Sequence, residues 1–164
     1  MRISPASEAD AAAIARVRSA AAQKLTSEFG KGHWSSLTHE AGALRDLETS
    51  TVLVARDGRK IVGTLSLATK KPWAIDVSYF TPVKRPLYLT GMAVSVERQG
   101  QGLGRVALED ACAVAEEWQA DAIRLDAFDA DAGAGGLYAR CGFAERGRVV
   151  YKGDPLVYYE RLVH

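Results

Sequence analysis

The order of apolar and polar positions divides the chain into helical and extended segments. Ser7-Glu8-Ala9-Asp10 opens an alanine-rich stretch running to about Ala22, in which Ile14, Val17 and Ala21 recur at helical spacing. Ser7 is its expected N-cap, with Asp10 in an acidic first turn. A weaker helix is predicted over Thr38 to Leu47, with Gly30-Lys31-Gly32-His33-Trp34 as the intervening loop. Thr51 to Arg56 and Ile61 to Ala68 are apolar runs flanking Asp57-Gly58, the pattern of a hairpin. Lys70 to Pro86 holds three prolines and reads as irregular. Leu87 to Val96 then gives a strand in which Leu87, Leu89, Gly91 and Ala93 alternate with Tyr88, Thr90, Met92 and Val94.

After a glycine-rich turn, Leu103, Val106, Ala107, Ala111, Val114, Ala115 and Trp118 mark an amphipathic helix to about Gln119. Ala122 to Phe128 is a further strand, and Leu137 to Cys141 a short helix stopped by Gly142. Arg148 to Tyr151 and Leu156 to Arg161 form a last hairpin around Lys152-Gly153-Asp154-Pro155. The expected order is βααββ, a β-turn-α-β unit, then αββ, a mixed α/β fold.

The 164 residues carry no repeat or linker and are expected to form a single domain over 1–164, long enough to bury a core without staples. A hydrophobic share of 48% with 25% charged residues excludes a disordered chain. The net charge of +1 comes from scattered basic residues, which argues against nucleic acid or an anionic membrane as partner. Cys112 and Cys141 lack the spacing of a disulfide framework, and no metal site is expected from them with His33, His39 and His164. With no long apolar span and acidic residues near the start, the expected setting is cytoplasmic.

Chemistry concentrates in Gln99-Gly100-Gln101-Gly102-Leu103-Gly104-Arg105, between a strand and a helix. Alternating glycines let backbone approach a ligand closely. The helix that follows starts with unpaired N–H groups and a positive dipole end, an arrangement suited to phosphates. No window supplies the P-loop pattern. Gly102-x-Gly104-x-x-Ala107, with Asp126 further on, partly fits a dinucleotide fingerprint. Glu97-Arg98-Gln99 intervenes between strand and glycines, however, and fewer than 40 residues follow Asp126, too few for the remaining units of a doubly wound sheet.

Gln99, Gly102 and Gly104 in a Q-x-x-G-x-G pattern, preceded by Met92-Ala93-Val94, resemble the acyl-coenzyme A site of the GNAT superfamily of N-acetyltransferases. Leu137-Tyr138-Ala139-Arg140-Cys141-Gly142-Phe143 resembles that family's LYxxxGF signature. The resemblance implies a GNAT-like twisted mixed sheet of about six or seven strands flanked by about four helices. It also implies transfer of acetyl from acetyl-CoA to a primary amine of a small molecule or peptide, by direct attack in a ternary complex. A non-catalytic acyl-coenzyme A sensor is the alternative, and a dinucleotide-binding module a more distant one.

Carried over residue by residue, the resemblance places the pantetheine arm along the backbone of Met92, Ala93 and Val94. An N–H there would act as oxyanion donor. The pyrophosphate would lie on Gly100, Gln101, Gly102, Leu103, Gly104 and Arg105, with Gln99 heading the motif where arginine is commoner. Tyr138 matches a tyrosine beside the coenzyme A sulfur; the structural alternative is a core tyrosine next to Leu137 and Phe143. Asp126 matches a carboxylate that serves some relatives as base, its alternative being a partner for Arg124, two residues away on one face. Glu97 is a weaker base candidate. Asp131 occupies a position where many relatives have asparagine, keeping an acceptor but losing the amide donor. Gly133 to Gly136 is unusually glycine-rich, which predicts mobility or close approach to the cofactor. The acceptor pocket is expected between Glu28–Leu37 and Lys70–Pro86, with Tyr88, Thr90 and Asp126 on its floor. Trp34, Trp73, Tyr79 and Phe80 lie in those loops. Leu156 to Leu162 is the segment that would serve in a homodimer.

Overall fold

The computed structural model of the chain describes residues 3–163. Seven strands, β1 (Ile3–Pro5), β2 (Thr51–Asp57), β3 (Lys60–Ala68), β4 (Pro86–Val94), β5 (Ala122–Phe128), β6 (Ala144–Tyr151) and β7 (Asp154–Leu162), form one sheet in the order β1-β2-β3-β4-β5-β7-β6. All neighbours are antiparallel except β4 and β5. Four helices, α1 (Ala11–Phe29), α2 (Glu40–Thr49), α3 (Leu103–Glu117) and α4 (Gly135–Arg140), cover the faces. The predicted mixed α/β order is thus observed. None of these helices is long and apolar enough to cross a membrane.

Period-2 alternation assigns the two faces. Leu53, Leu65, Leu87, Leu89, Ile123, Leu125 and Val157 pack under α3 and α4. Val52, Val54 and Ile61 face Ile14, Val17 and Ala43 of α1 and α2. Ile75 and Phe80, from the irregular segment between β3 and β4, pack on Tyr88 and Tyr158. The segment is anchored by buried polar groups as well. Arg124 bonds Glu160 (Nε–Oε2 3.1 Å), the Tyr88 hydroxyl (3.0 Å) and the Thr81 carbonyl (2.7 Å), and the Tyr158 hydroxyl bonds the Ala74 carbonyl. Arg124 therefore pairs across to β7 rather than with Asp126, because antiparallel pairing sets Glu160 directly opposite it.

Three expectations change. The first helix runs seven residues beyond Ala22, ending where Gly30 takes φ +82°. The strict alternation along β4 fails at Gly91: its φ is +62°, Thr90 and Ala93 pair with Ser66 and Thr64, and Gly91 and Met92 have no register partners on β3. This bulge switches parity, so Met92 and Val94 join Leu87 and Leu89 on the α3 face, while Ala93 packs toward α1. Finally, β7 is paired on both sides, so Leu156–Leu162 offers no free edge; the outer strand is β6.

Candidate active site

The parallel pairing of β4 and β5 spans only Pro86–Ala122, Leu87–Ile123 and Tyr88–Arg124. Beyond Tyr88 the bulge carries β4 away, and a wedge opens between the two strands. On the α3 side this wedge continues into a cavity of about 550 Å³. Met92, Ala93, Val94, Gln99, Gly100, Gly102, Leu103, Gly104, Arg105 and Tyr138 all line it. Of the residues singled out in the sequence, Gln101, Asp126, Asp131, the weaker base candidate Glu97, and Tyr88 and Thr90 of the expected acceptor floor lie outside that lining. Gln101 is exposed and turned back, its amide donating to the Glu97 carbonyl (3.1 Å) and its oxygen accepting from Arg98 (3.1 Å). Asp131 is exposed.

Backbone conformation explains the glycines of the turn. Gly100 and Gly102 have φ +77° and +82°, a region side chains rarely adopt, and a Cβ on either would meet nothing within 4 Å. The space over them is open toward the cavity. Gly102 is the N-cap of α3, so the unpaired amides of the first turn border that space. Arg98, Arg105 and Arg140 line the cavity; Arg98 is paired with Asp57 at 2.7 Å, so the positive charge there comes chiefly from Arg105 and Arg140.

Helix α1 forms a wall that the sequence reading missed. Ala21 and Leu25, one helical turn apart, line the cavity. Lys24 donates to Gln99 Oε1 at 2.8 Å, while Gln99 Nε2 donates to the Val94 carbonyl at 3.0 Å. Earlier on the same helix, Arg18 lies over the bulge, bonded to Asp46 of α2 (2.5 Å) and Ser66 of β3 (3.2 Å). A Cβ at Gly91 would sit 2.7 Å from its Nη2. The signal was present in the continuing helical spacing of Ala21 and Leu25.

Tyr138 of α4 is buried between Phe143 and Tyr159, with its hydroxyl 3.8 Å from Met92 Sδ. Burial pushes its pKa up to about 12, so the phenol stays protonated at any working pH. Asp126 lies on the opposite face, directly across from Tyr158 and two residues beyond the last β4–β5 pair. Burial raises its carboxyl above the usual carboxylate range, and among the described residues none donates a hydrogen bond to it. Its charge adds to the upward shift of the Tyr138 phenol, after burial. Glu97 is a solvated carboxylate, held below its usual range by its own backbone amide and Lys60.

The glycines at the start of α4 serve close packing. A Cβ on Gly133 would lie 2.0 Å from the Phe128 carbonyl oxygen, and one on Gly135 2.6 Å from the Tyr159 hydroxyl. The loop before α4 is therefore fitted to the protein itself. On the acceptor side, Tyr88 is buried beneath Arg124 and Thr90 is exposed. Phe128 carries His33 stacked at 6.3 Å and Trp34 edge-on at 6.2 Å.

The sequence profile of the Acetyltransferase (GNAT) family matches residues 19–143. Among solved structures, a ribosomal-protein-alanine N-acetyltransferase from Brucella melitensis is similar over 99% of both chains, with TM-score 0.75 and 20% identity. A protein from Salmonella typhimurium, solved with its cofactor acetyl-CoA, is similar over 100% of this chain and 94% of its own, with TM-score 0.72 and 19% identity. An aminoglycoside 6'-acetyltransferase type Ii matches over 100% and 98%, with TM-score 0.71 and 13% identity. No curated protein matches the chain in sequence.

Proposed function

The chain belongs to the GNAT family of acetyltransferases, which use acetyl-CoA, and from that premise we propose that it acetylates a primary amine by direct attack in a ternary complex, acting as one domain. The observation that carries this reading is the cavity beside the point where β4 and β5 part, lined by Met92–Val94, the glycine turn and Tyr138. A half-buried carboxylate without a hydrogen-bond partner among the described residues, Asp126, stands on one face, and a permanently protonated phenol, Tyr138, on the other.

The cavity fits the cofactor by its own chemistry. Positive-φ glycines leave the space above the α3 amides open, and Arg105 and Arg140 bring positive charge to it. Gly100 to Arg105 would hold the pyrophosphate, and Met92 to Val94 the pantetheine arm. Bound acetyl-CoA supplies an acetyl group activated as a thioester.

Asp126 takes the proton that an ammonium must lose before its lone pair can react. Its raised pKa brings it nearer that of the group it deprotonates, which favours the transfer. The bulge frees the Met92 backbone from the β3 ladder, and its N–H is the donor toward the developing oxyanion. Tyr138 donates a hydrogen bond on the opposite side, where thiolate charge develops. Burial makes that donor weak as an acid but always present.

The relatives named above act on a ribosomal-protein alanine and on an aminoglycoside, so the acceptor panel includes alanine-terminated peptides, aminoglycosides, amino acids and polyamines. With acetyl-CoA, mass spectrometry is expected to show an N-acetylated product for at least one amine. Asp126→Asn and Tyr138→Phe are expected to lower its rate while leaving acetyl-CoA affinity in place. Cofactor binding without acetylation of any panel amine would favour a sensor of acyl-coenzyme A.

A further inference from the structure

The loop between α1 and α2 is a built feature. Gly30 ends α1 with φ +82°, and Trp34 folds back to donate from Nε1 to the Gly30 carbonyl at 3.0 Å. Gly32 has no room for a side chain, since a Cβ there would lie 2.5 Å from the Trp34 ring. The Ser35 hydroxyl bonds Thr26 at 2.7 Å and accepts from the Gly32 amide at 3.0 Å. These contacts present His33 and Trp34 in a fixed direction.

That direction is across the acceptor side of the wedge. His33 and Trp34 rest on Phe128, which lies two residues beyond Asp126 on the same face of β5. His33 Nδ1 continues to Asp154 Oδ1 at 2.6 Å, at the start of β7. The neighbouring Pro155 carbonyl accepts from the Asp129 amide at 2.9 Å, so the β6–β7 hairpin is itself tied to the end of β5. One histidine–aspartate contact thus joins the α1–α2 loop to the last hairpin over the strand that carries the proposed base.

We propose that His33 and Asp154 are positioning residues that clasp the α1–α2 loop to β7 and close the Asp126 side of the wedge against water. The inference rests on the acetyl-transfer reading. An activated thioester beside a carboxylate base invites hydrolysis unless water is kept from that side. Because both side chains are on the surface, removing either opens the clasp without emptying a core site.

The test uses the full chain with Trp73→Phe and Trp118→Phe, leaving Trp34 as the sole tryptophan. In this background, acrylamide quenching of Trp34, acetyl-CoA hydrolysis without any amine, and the thermal shift given by acetyl-CoA are measured. His33→Ala and Asp154→Ala are each expected to raise the quenching constant at least twofold and hydrolysis at least threefold, with an unchanged thermal shift. The double variant is expected to match the singles, and His33→Gln, which keeps a donor, to stay near the parent. A gain in hydrolysis is something a merely destabilising change does not produce. Unchanged quenching, or looser Trp34 without faster hydrolysis, would overturn the clasp. Absence of any thermal shift with acetyl-CoA in the parent would instead overturn the cofactor reading on which it rests.

Discussion

The ammonium of Lys24 on α1 lies 2.8 Å from Gln99 Oε1, and Gln99 in turn holds the Val94 carbonyl. This chain links a helix wall, the glycine turn and the end of β4, three pieces of backbone that border the cavity. It also brings a positive charge to the head of the turn from another element. Lys24→Met is therefore expected to weaken acetyl-CoA binding about fivefold at low salt, the loss of about 1 kcal/mol of exposed electrostatics. Titration calorimetry at two ionic strengths checks this. An unchanged Kd at low salt would leave Lys24 a purely structural clip.

Gly91 answers two demands at once, a φ of +62° and the Arg18 guanidinium lying over its face. Gly91→Ala is expected to lower stability by about 1–3 kcal/mol in urea unfolding, through left-handed strain and the clash. Adding Arg18→Ala removes the clash but not the strain, and also leaves Asp46 without its partner. The double variant should thus show a coupling between the sites rather than simple additivity.

Asp126 gives the pH dependence an unusual sign. Its folded pKa is raised by burial above the unfolded value of about 3.9. The native state then binds more protons in that window, so this group's contribution to stability falls as pH rises from the unfolded to the folded pKa. Asp126→Asn is expected to raise Tm at pH 7 and to change it far less below pH 3.5, while removing the acidic limb of the pH–rate profile. A lower Tm at pH 7 would mean that the carboxylate stabilises the fold.

The Arg124–Glu160 pair is buried on both sides and fastens the irregular segment through Thr81. Removing Arg124 leaves the buried Glu160 carboxylate with only the more distant Arg146 as a counter-charge. Arg124→Met is expected to cost about 3–5 kcal/mol in chemical denaturation. A loss below 1 kcal/mol would show that Arg146, 3.9 Å from Glu160, compensates fully.

Local patterns made much of this architecture legible. Helical spacing revealed α3, the Asp57-Gly58 turn fixed the first hairpin, and the glycines between strand and helix marked the turn that caps α3. The bulge was less visible, although a glycine within a strand is the usual sign of one. Contacts that depend on pairing of distant segments carried no local signal. Glu160 meets Arg124 only once β5 and β7 align, and His33 meets Asp154 only once the sheet brings the last hairpin under the α1–α2 loop. The expected α1 stopped at Ala22 because the last turns, Gln23 to Phe29, are mostly polar with Thr26 and Ser27, although Leu25 continues the spacing of Ala21.

The most direct test of the account is thermal unfolding of the wild-type protein and Gly102→Glu with acetyl-CoA, coenzyme A, NAD or no ligand. At about 100 times Kd, a bound ligand adds roughly 2.7 kcal/mol, a shift of several degrees for a chain of this size. Gly102 faces open space at the start of α3, so a glutamate there places a carboxylate where the pyrophosphate would lie. The expected result is a clear shift with acetyl-CoA and coenzyme A, none with NAD, and none with any ligand in Gly102→Glu. A shift with NAD alone, or one with acetyl-CoA that survives Gly102→Glu, would contradict the assignment of this cavity.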